Sequence, residues 1–163
     1  MRRHPETVRG LILADTKAGA DAPEGLAKRQ AMIDEVGAKG TRSVAKAFPP
    51  AVTAPGTAES NPALMEKLRV WIEDAVPSTV AGAQRAMAAR QDATALLDTI
   101  QVPTLVIVGE QDPTTPPAEA EAMAKAIPGA RLVVIPGAGH LANLEQPDAF
   151  NAAVREFMAT FSP

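Results

Sequence analysis

Three short runs in this chain are apolar almost without interruption: residues 8–14 (Val-Arg-Gly-Leu-Ile-Leu-Ala), residues 104–108 (Thr-Leu-Val-Ile-Val) and Arg131–Ile135. A strand with one wet face alternates apolar and polar side chains. A run that is apolar at consecutive positions has to be covered on both faces. Parallel strands with helices on either side meet that demand, and their crossovers are right-handed. Pro103 leads into the second run, where a residue without an N–H is tolerated, and Pro136-Gly137 ends the third.

The intervening segments supply the helices. Between the second and third runs, Thr115 is placed to cap a helix with Pro116 at its first position. Ala120, Met123, Ala124 and Ile127 follow at helical spacing, and Pro128-Gly129 stops it. After the third run, Phe150, Val154, Phe157, Met158 and Phe161 form one stripe of a final helix starting near Pro147. Residues 16–100 contain no convincing strand. Helical patterns occupy residues 25–38, 41–48, 62–75 and 79–90, separated by Pro49-Pro50 and Ala54-Pro55-Gly56. The expectation is an α/β chain with three parallel strands, its core formed by residues 1–15 and 101–163 and residues 16–100 forming an all-helical insertion. The alternative is that these helices form one half of a plain α/β layer.

Composition removes several kinds of chemistry. The chain has 163 residues, 46% of them hydrophobic, enough for one ordinary core. It has no Cys, which excludes disulfides and thiolate nucleophiles. It has only two imidazoles, His4 and His140, which excludes a multi-histidine zinc site within one chain. A formal charge of -3 with scattered basic residues makes no case for nucleic acid or anionic membranes. Neither a Gly-x-x-x-x-Gly-Lys nor a Gly-x-Gly-x-x-Gly pattern is present to cradle phosphates. No run is long enough to span a bilayer, and the start has no signal-peptide pattern. A cytoplasmic protein without metal or organic cofactor is expected.

Two residues stand where chemistry is expected. Asp112, in Gly109-Glu110-Gln111-Asp112-Pro113, directly follows the second run, and the carboxyl ends of parallel strands are where open α/β sheets build their sites. A buried Asp there can accept an imidazole N–H and fix its tautomer; Asp-Pro before a helix is also ordinary turn chemistry. His140 follows the third run in Pro136-Gly137-Ala138-Gly139-His140, where the glycines permit a sharp loop that aims the ring back toward the sheet. Alone it reads as a surface turn residue; beside Asp112 it reads as a base, with an ordinary pKa near ~6.5 suited to neutral pH.

These motifs, continuing through Glu145-Gln146-Pro147-Asp148-Ala149-Phe150, resemble the last third of the α/β-hydrolase fold. The opening, from Arg3-His4-Pro5 to Ala14-Asp15-Thr16, resembles the end of the helix after the nucleophile elbow and the next strand. The resemblance covers essentially the whole chain. It is closest to small capped members: carboxylesterases, 3-oxoadipate enol-lactonase-like lactonases, C–C bond hydrolases and cofactor-free haloperoxidases. It implies a helical cap at 16–100, Asp112 as triad acid, His140 as general base, and hydrolysis of a small ester or lactone. Asp15 is implied as a reserve acid, because some relatives place the acid after that strand; otherwise it turns the chain into the insertion. Trp71, Met65 and Met87 are candidates for an apolar substrate wall, or plain core. His4 is structural, and Glu145 and Asn143 shape the loop and cap the last helix.

One part of the pattern is missing. Relatives carry Gly-x-Ser-x-Gly at a strand-to-helix turn. Ser43, Ser60, Ser78 and Ser162 all lack glycines two places away on both sides. Met1 therefore reads as an internal start, with nucleophile and oxyanion hole expected from a segment outside this sequence. In such a sheet the strand at 8–14 pairs with the nucleophile-bearing strand. Its apolar edge is thus expected to join a second copy or a complementary half, which is also the rival to catalysis: a non-catalytic assembly module.

Overall fold

A computed structural model describes residue 1 and residues 3–161. After a 3-10 turn at Pro5–Thr7 comes β1 (Leu11–Ala14), followed by α1 (Pro23–Lys39), α2 (Arg42–Ala45) and α3 (Phe48–Val52). Next are α4 (Thr57–Ser60), α5 (Pro62–Asp74) and α6 (Pro77–Ala88), then a 3-10 segment at Thr94–Thr99. The chain closes with β2 (Thr104–Gly109), α7 (Pro117–Ala126), β3 (Arg131–Ile135), α8 (Ala142–Glu145) and α9 (Pro147–Ala159). It divides into two compact units. One comprises Met1–Ala18, Val52–Pro55 and Ala93–Pro163; the other comprises Gly19–Ala51 and Gly56–Asp92.

The first unit holds a parallel sheet in the order β1-β2-β3. Every residue of β2 is buried, and alternate side chains serve opposite faces. Val106 and Val108 pack with Leu97, Ile100, Ala120, Met123 and Ile127. Leu105 and Ile107 pack with Ile135, Ala138, Ala142, Ala153 and Phe157. This two-sided cover is what the unbroken apolar run requires. Each Val, Leu, Ile, Met and Phe so covered contributes about 1.5–3 kcal/mol by leaving water.

β1 is shorter than residues 8–14. Leu11 N–H donates to the Pro103 carbonyl at 3.0 Å, and Leu11 lies opposite Thr104. The preceding rung would need an N–H from Pro103 to reach Arg9, and proline has none. The ladder therefore starts at Leu11.

In the second unit the helix boundaries also move. The pattern at 41–48 resolves into α2 and a separate α3, and Pro49 and Pro50 lie in the first turn of α3 instead of breaking it. There a missing N–H costs nothing. α1 packs along α6, and α2 along α5. Asn61 caps α5, its Oδ1 accepting the Leu64 N–H at 3.1 Å. Asp21, almost fully buried, binds Arg29 and also Arg90, the latter at 3.4 Å. Among the described residues no helix is long and apolar enough to cross a membrane.

Candidate active site

Each strand of the sheet delivers an acidic or imidazole side chain at its carboxyl end. Asp15 follows β1 with φ +43°, a left-handed conformation uncommon outside glycine. Its own N–H completes a rung to Ile107, at 2.9 Å. The next rung is made by the side chain: Gly109 N–H donates to Asp15 Oδ1 at 2.9 Å, where a regular ladder would offer a carbonyl.

Asp112 stands just past β2 with its side chain fully buried. Oδ1 accepts the N–H groups of Thr114 and Thr115, at 2.7 and 2.9 Å. Oδ2 accepts the Thr115 hydroxyl at 2.6 Å and faces His140 Nδ1 at 2.9 Å. The turn role and the imidazole role, alternatives in the sequence, are thus divided between the two oxygens of one carboxylate. Burial pushes the Asp112 carboxyl up, but the bonds from His140, the Thr115 hydroxyl and the two amides outweigh it and hold it below the usual range.

Because ionised Asp112 can only accept, Nδ1 of His140 is the donor. The neutral ring then carries its proton on Nδ1 and a free lone pair on Nε2. The Asp112 bond raises the imidazole above its ordinary pKa against the opposing effect of burial, with smaller contributions from the charges of Asp112, Asp15 and Glu145. Asp15 itself is pushed up to about 6, chiefly by burial; the Gly109 amide opposes this and the Asp112 charge adds to it.

The loop carrying His140 is held by backbone contacts that only glycine permits. A Cβ on Gly109 would lie 2.1 Å from the Gly139 carbonyl oxygen, and one on Gly139 would lie 2.4 Å from the Ala54 nitrogen. Three stretches of main chain therefore stack without side chains between them. Gln111 N–H donates to the Ala138 carbonyl at 2.8 Å, and His140 N–H to the Val52 carbonyl at 2.9 Å. Glu110 accepts the Gly137 N–H at 3.0 Å. Glu145 accepts from Gly139, Leu141 and Ala54.

Asp112 and His140 are thus brought together, and Asp15 lies close enough to affect both. Thr115 does not cap α7, which starts at Pro117; its hydroxyl is already committed to Asp112. Glu145 does not cap α9 either, whose N-terminus has no side-chain cap. Both residues were visible as polar positions in the sequence, but their partners were not. Met65, Trp71 and Met87 lie in the second unit. Met65 is half-buried on α5. Trp71 is 51% exposed with Lys67 Nζ 4.7 Å from its ring centre, and Met87 Sδ accepts from Arg29 at 3.2 Å. His4 is exposed and pairs with Glu6. Ser43 and Ser60 donate to nearby helix-end carbonyls, and Ser162 lies outside the described residues. Among the described residues no cluster of His, Asp and Glu is arranged to hold a metal.

A sheet of this topology, with the acid after β2 and the imidazole after β3, matches the family profile of the alpha/beta hydrolase fold over residues 1–147. The chain belongs to the alpha/beta hydrolase fold family. Within it, the chain is 31% identical over 158 residues to 3-oxoadipate enol-lactonase 2 of Acinetobacter baylyi, covering 97% of this chain and 57% of that protein. It is 36% identical over 162 residues to a pimeloyl-[acyl-carrier protein] methyl ester esterase of Neisseria meningitidis, covering 96% and 51%. A thermophilic esterase from Thermogutta terrifontis superposes with a TM-score of 0.91 at 40% identity, over 98% of this chain and 58% of that one. The hydrolase-fold chain therefore spans between half and three-fifths of the length of these relatives.

Proposed function

We propose that this chain supplies the acid and base of a serine-hydrolase site acting on a small ester or lactone, with the nucleophile provided by a segment outside this sequence. The carrying observation is the 2.9 Å contact between Asp112 Oδ2 and His140 Nδ1, with Asp112 further held by three donors from Thr114 and Thr115. Esterase and lactonase relatives supply the reaction class.

The steps follow from the tautomer. His140 Nε2 accepts the serine proton as the serine oxygen bonds to the acyl carbon, and Asp112 stabilises the imidazolium so formed. Nε2 then passes the proton to the departing alkoxide oxygen. A water oxygen then bonds to the acyl carbon as its proton passes to Nε2. The bond from the acyl carbon to the serine oxygen breaks to release the acid, and the proton returns to that oxygen. His140, oriented by Asp112, carries the proton in both halves, and these steps call for no metal or organic cofactor.

The test has two arms. The chain alone shows no inhibitor-sensitive hydrolysis of p-nitrophenyl acetate and no stoichiometric labelling by a fluorophosphonate; labelling would overturn the assignment of the nucleophile elsewhere. Joined to the part of the Thermogutta esterase that it does not cover, it gains hydrolysis that His140→Ala abolishes. Activity indifferent to His140→Ala would overturn the role of the base.

A second reading rests on β1. Among the described residues it pairs only with β2, and Leu11-Ile12-Leu13-Ala14 carries no charge on that edge. Such an edge pairs readily with another strand, from a second copy or from a complementary segment. Light scattering that finds a monomer at high concentration, and no association with the complementary part, would remove it.

A further inference from the structure

We propose that Glu145 is the positioning residue of the His140–Asp112 pair, acting as a two-armed clamp that fastens the histidine loop to the segment Val52–Pro55. This inference rests on the reading of His140 as base and adds a residue to it. Oε1 takes the N–H of Gly139 at 2.9 Å and of Leu141 at 3.3 Å, the residues on either side of His140. Oε2 takes the N–H of Ala54 at 2.7 Å. One carboxylate thus holds the peptide on each side of the histidine and ties both to a segment 91 residues earlier.

The remaining contacts are consistent with a clamp instead of a simple turn. His140 N–H reaches the Val52 carbonyl at 2.9 Å, so the histidine peptide is bonded to the same segment from its own backbone. Gly139 lies so close to Thr53 and Ala54 that any side chain there would strike main chain. Val52, Thr53 and Ala54 are all buried, so these amides and carbonyls have little access to water. Removing their acceptor leaves buried donors unsatisfied, and the loop has to move to recover them. A shift of about 1 Å at the His140 Cα is enough to lengthen the bond to Asp112 beyond hydrogen-bonding range.

Glu145→Ala and Glu145→Gln test this in the chain as it stands. The readouts are the His140 Nδ1–H resonance and the exchange rates of the Ala54, Gly139 and Leu141 amides. Asp112, Asp15 and Glu145 are the charges facing His140, so its titration also responds to the lost charge; the Nδ1–H signal reports the bond itself. In Glu145→Ala all three amides exchange faster, on the order of tenfold to a hundredfold, the worth of one hydrogen bond to a charged group, and the Nδ1–H resonance is lost. Should that variant fail to fold, Glu145→Gln decides: its amide offers one oxygen only, so one arm exchanges faster and the resonance weakens. Unchanged exchange and an unchanged resonance in either folded variant overturn the clamp. Absence of the resonance in the unsubstituted chain removes the dyad itself, a result distinct from its loss in the variants alone.

Discussion

The hydroxyl of Thr115 donates to Asp112 Oδ2 across 2.6 Å, and the same oxygen takes the Nδ1–H of His140 at 2.9 Å. Thr115→Val keeps the shape and removes the donor. A buried charged hydrogen bond of this kind is worth about 1.5–3 kcal/mol. Asp112 has a depressed folded-state pKa, so its stabilisation is present above the ordinary carboxylate value and lost as pH falls through the folded value. Without Thr115 the folded value rises, and the acid limb of stability moves to higher pH. Urea midpoints measured from pH 7 down to pH 3 check this; superimposable curves would contradict it.

Asp112→Asn removes the main partner of His140. The imidazole pKa is raised in the folded chain, so its contribution is full below about 6.5 and is lost as pH rises through the folded value. In the variant, burial opposes the charged ring with only Asp15 and Glu145 to counter it. The titration midpoint therefore falls below that of the parent, because the partner that does most to raise it is gone. Proton NMR of the imidazole C2–H, with His140 identified by its loss in His140→Gln, gives the midpoint.

Asp15→Asn is expected to stabilise the chain above neutral pH. A carboxyl whose folded pKa is raised to about 6 favours the folded state fully below its unfolded value, and that advantage is lost as pH rises through 6. The amide keeps an oxygen for Gly109 and tolerates the left-handed backbone. The variant therefore matches the parent near pH 4 and exceeds it at pH 8 by on the order of 1–2 kcal/mol, solvent near a partly exposed group reducing the full effect. Denaturation at the two pH values decides it. A gain of equal size at both would point to a cause other than charge.

Gly109→Ala and Gly82→Ala should behave in opposite ways. A Cβ at Gly109 meets the Gly139 and Ala138 carbonyl oxygens, which are main chain and cannot turn aside. The cost is at least ~2–3 kcal/mol, with loss of the His140 Nδ1–H signal. At Gly82, within α6, nothing lies within 4 Å of the new methyl, and alanine gains about 0.5–1 kcal/mol from helix propensity. Paired urea titrations compare them.

The sheet was legible because its determinant is local: an apolar run needs no knowledge of its neighbours to announce burial. The start of β1 was not, since it depends on Pro103 in the partner strand. Pairing of Asp112 with His140 could be argued from each following its own strand. Thr115 was misplaced for a physical reason: a threonine before Pro-Pro offers the same hydroxyl to a helix end or to a carboxylate three residues back, and the buried charge wins. In the sequence Glu145 reads as a loop former and helix cap, because its third partner, Ala54, is 91 residues away. No spacing rule reaches that far.

The central strand has a further consequence for handling the protein. Thr104–Gly109 is uncharged, rich in β-branched residues and wholly covered when folded, with Pro103 at its entrance. Exposed by heat, a stretch of this kind is prone to stack against its own copies, with only Pro103 at one end and Glu110 at the other to oppose it. Thermal scans should then end in precipitate and depend on scan rate, whereas urea keeps the strand solvated and the unfolding reversible.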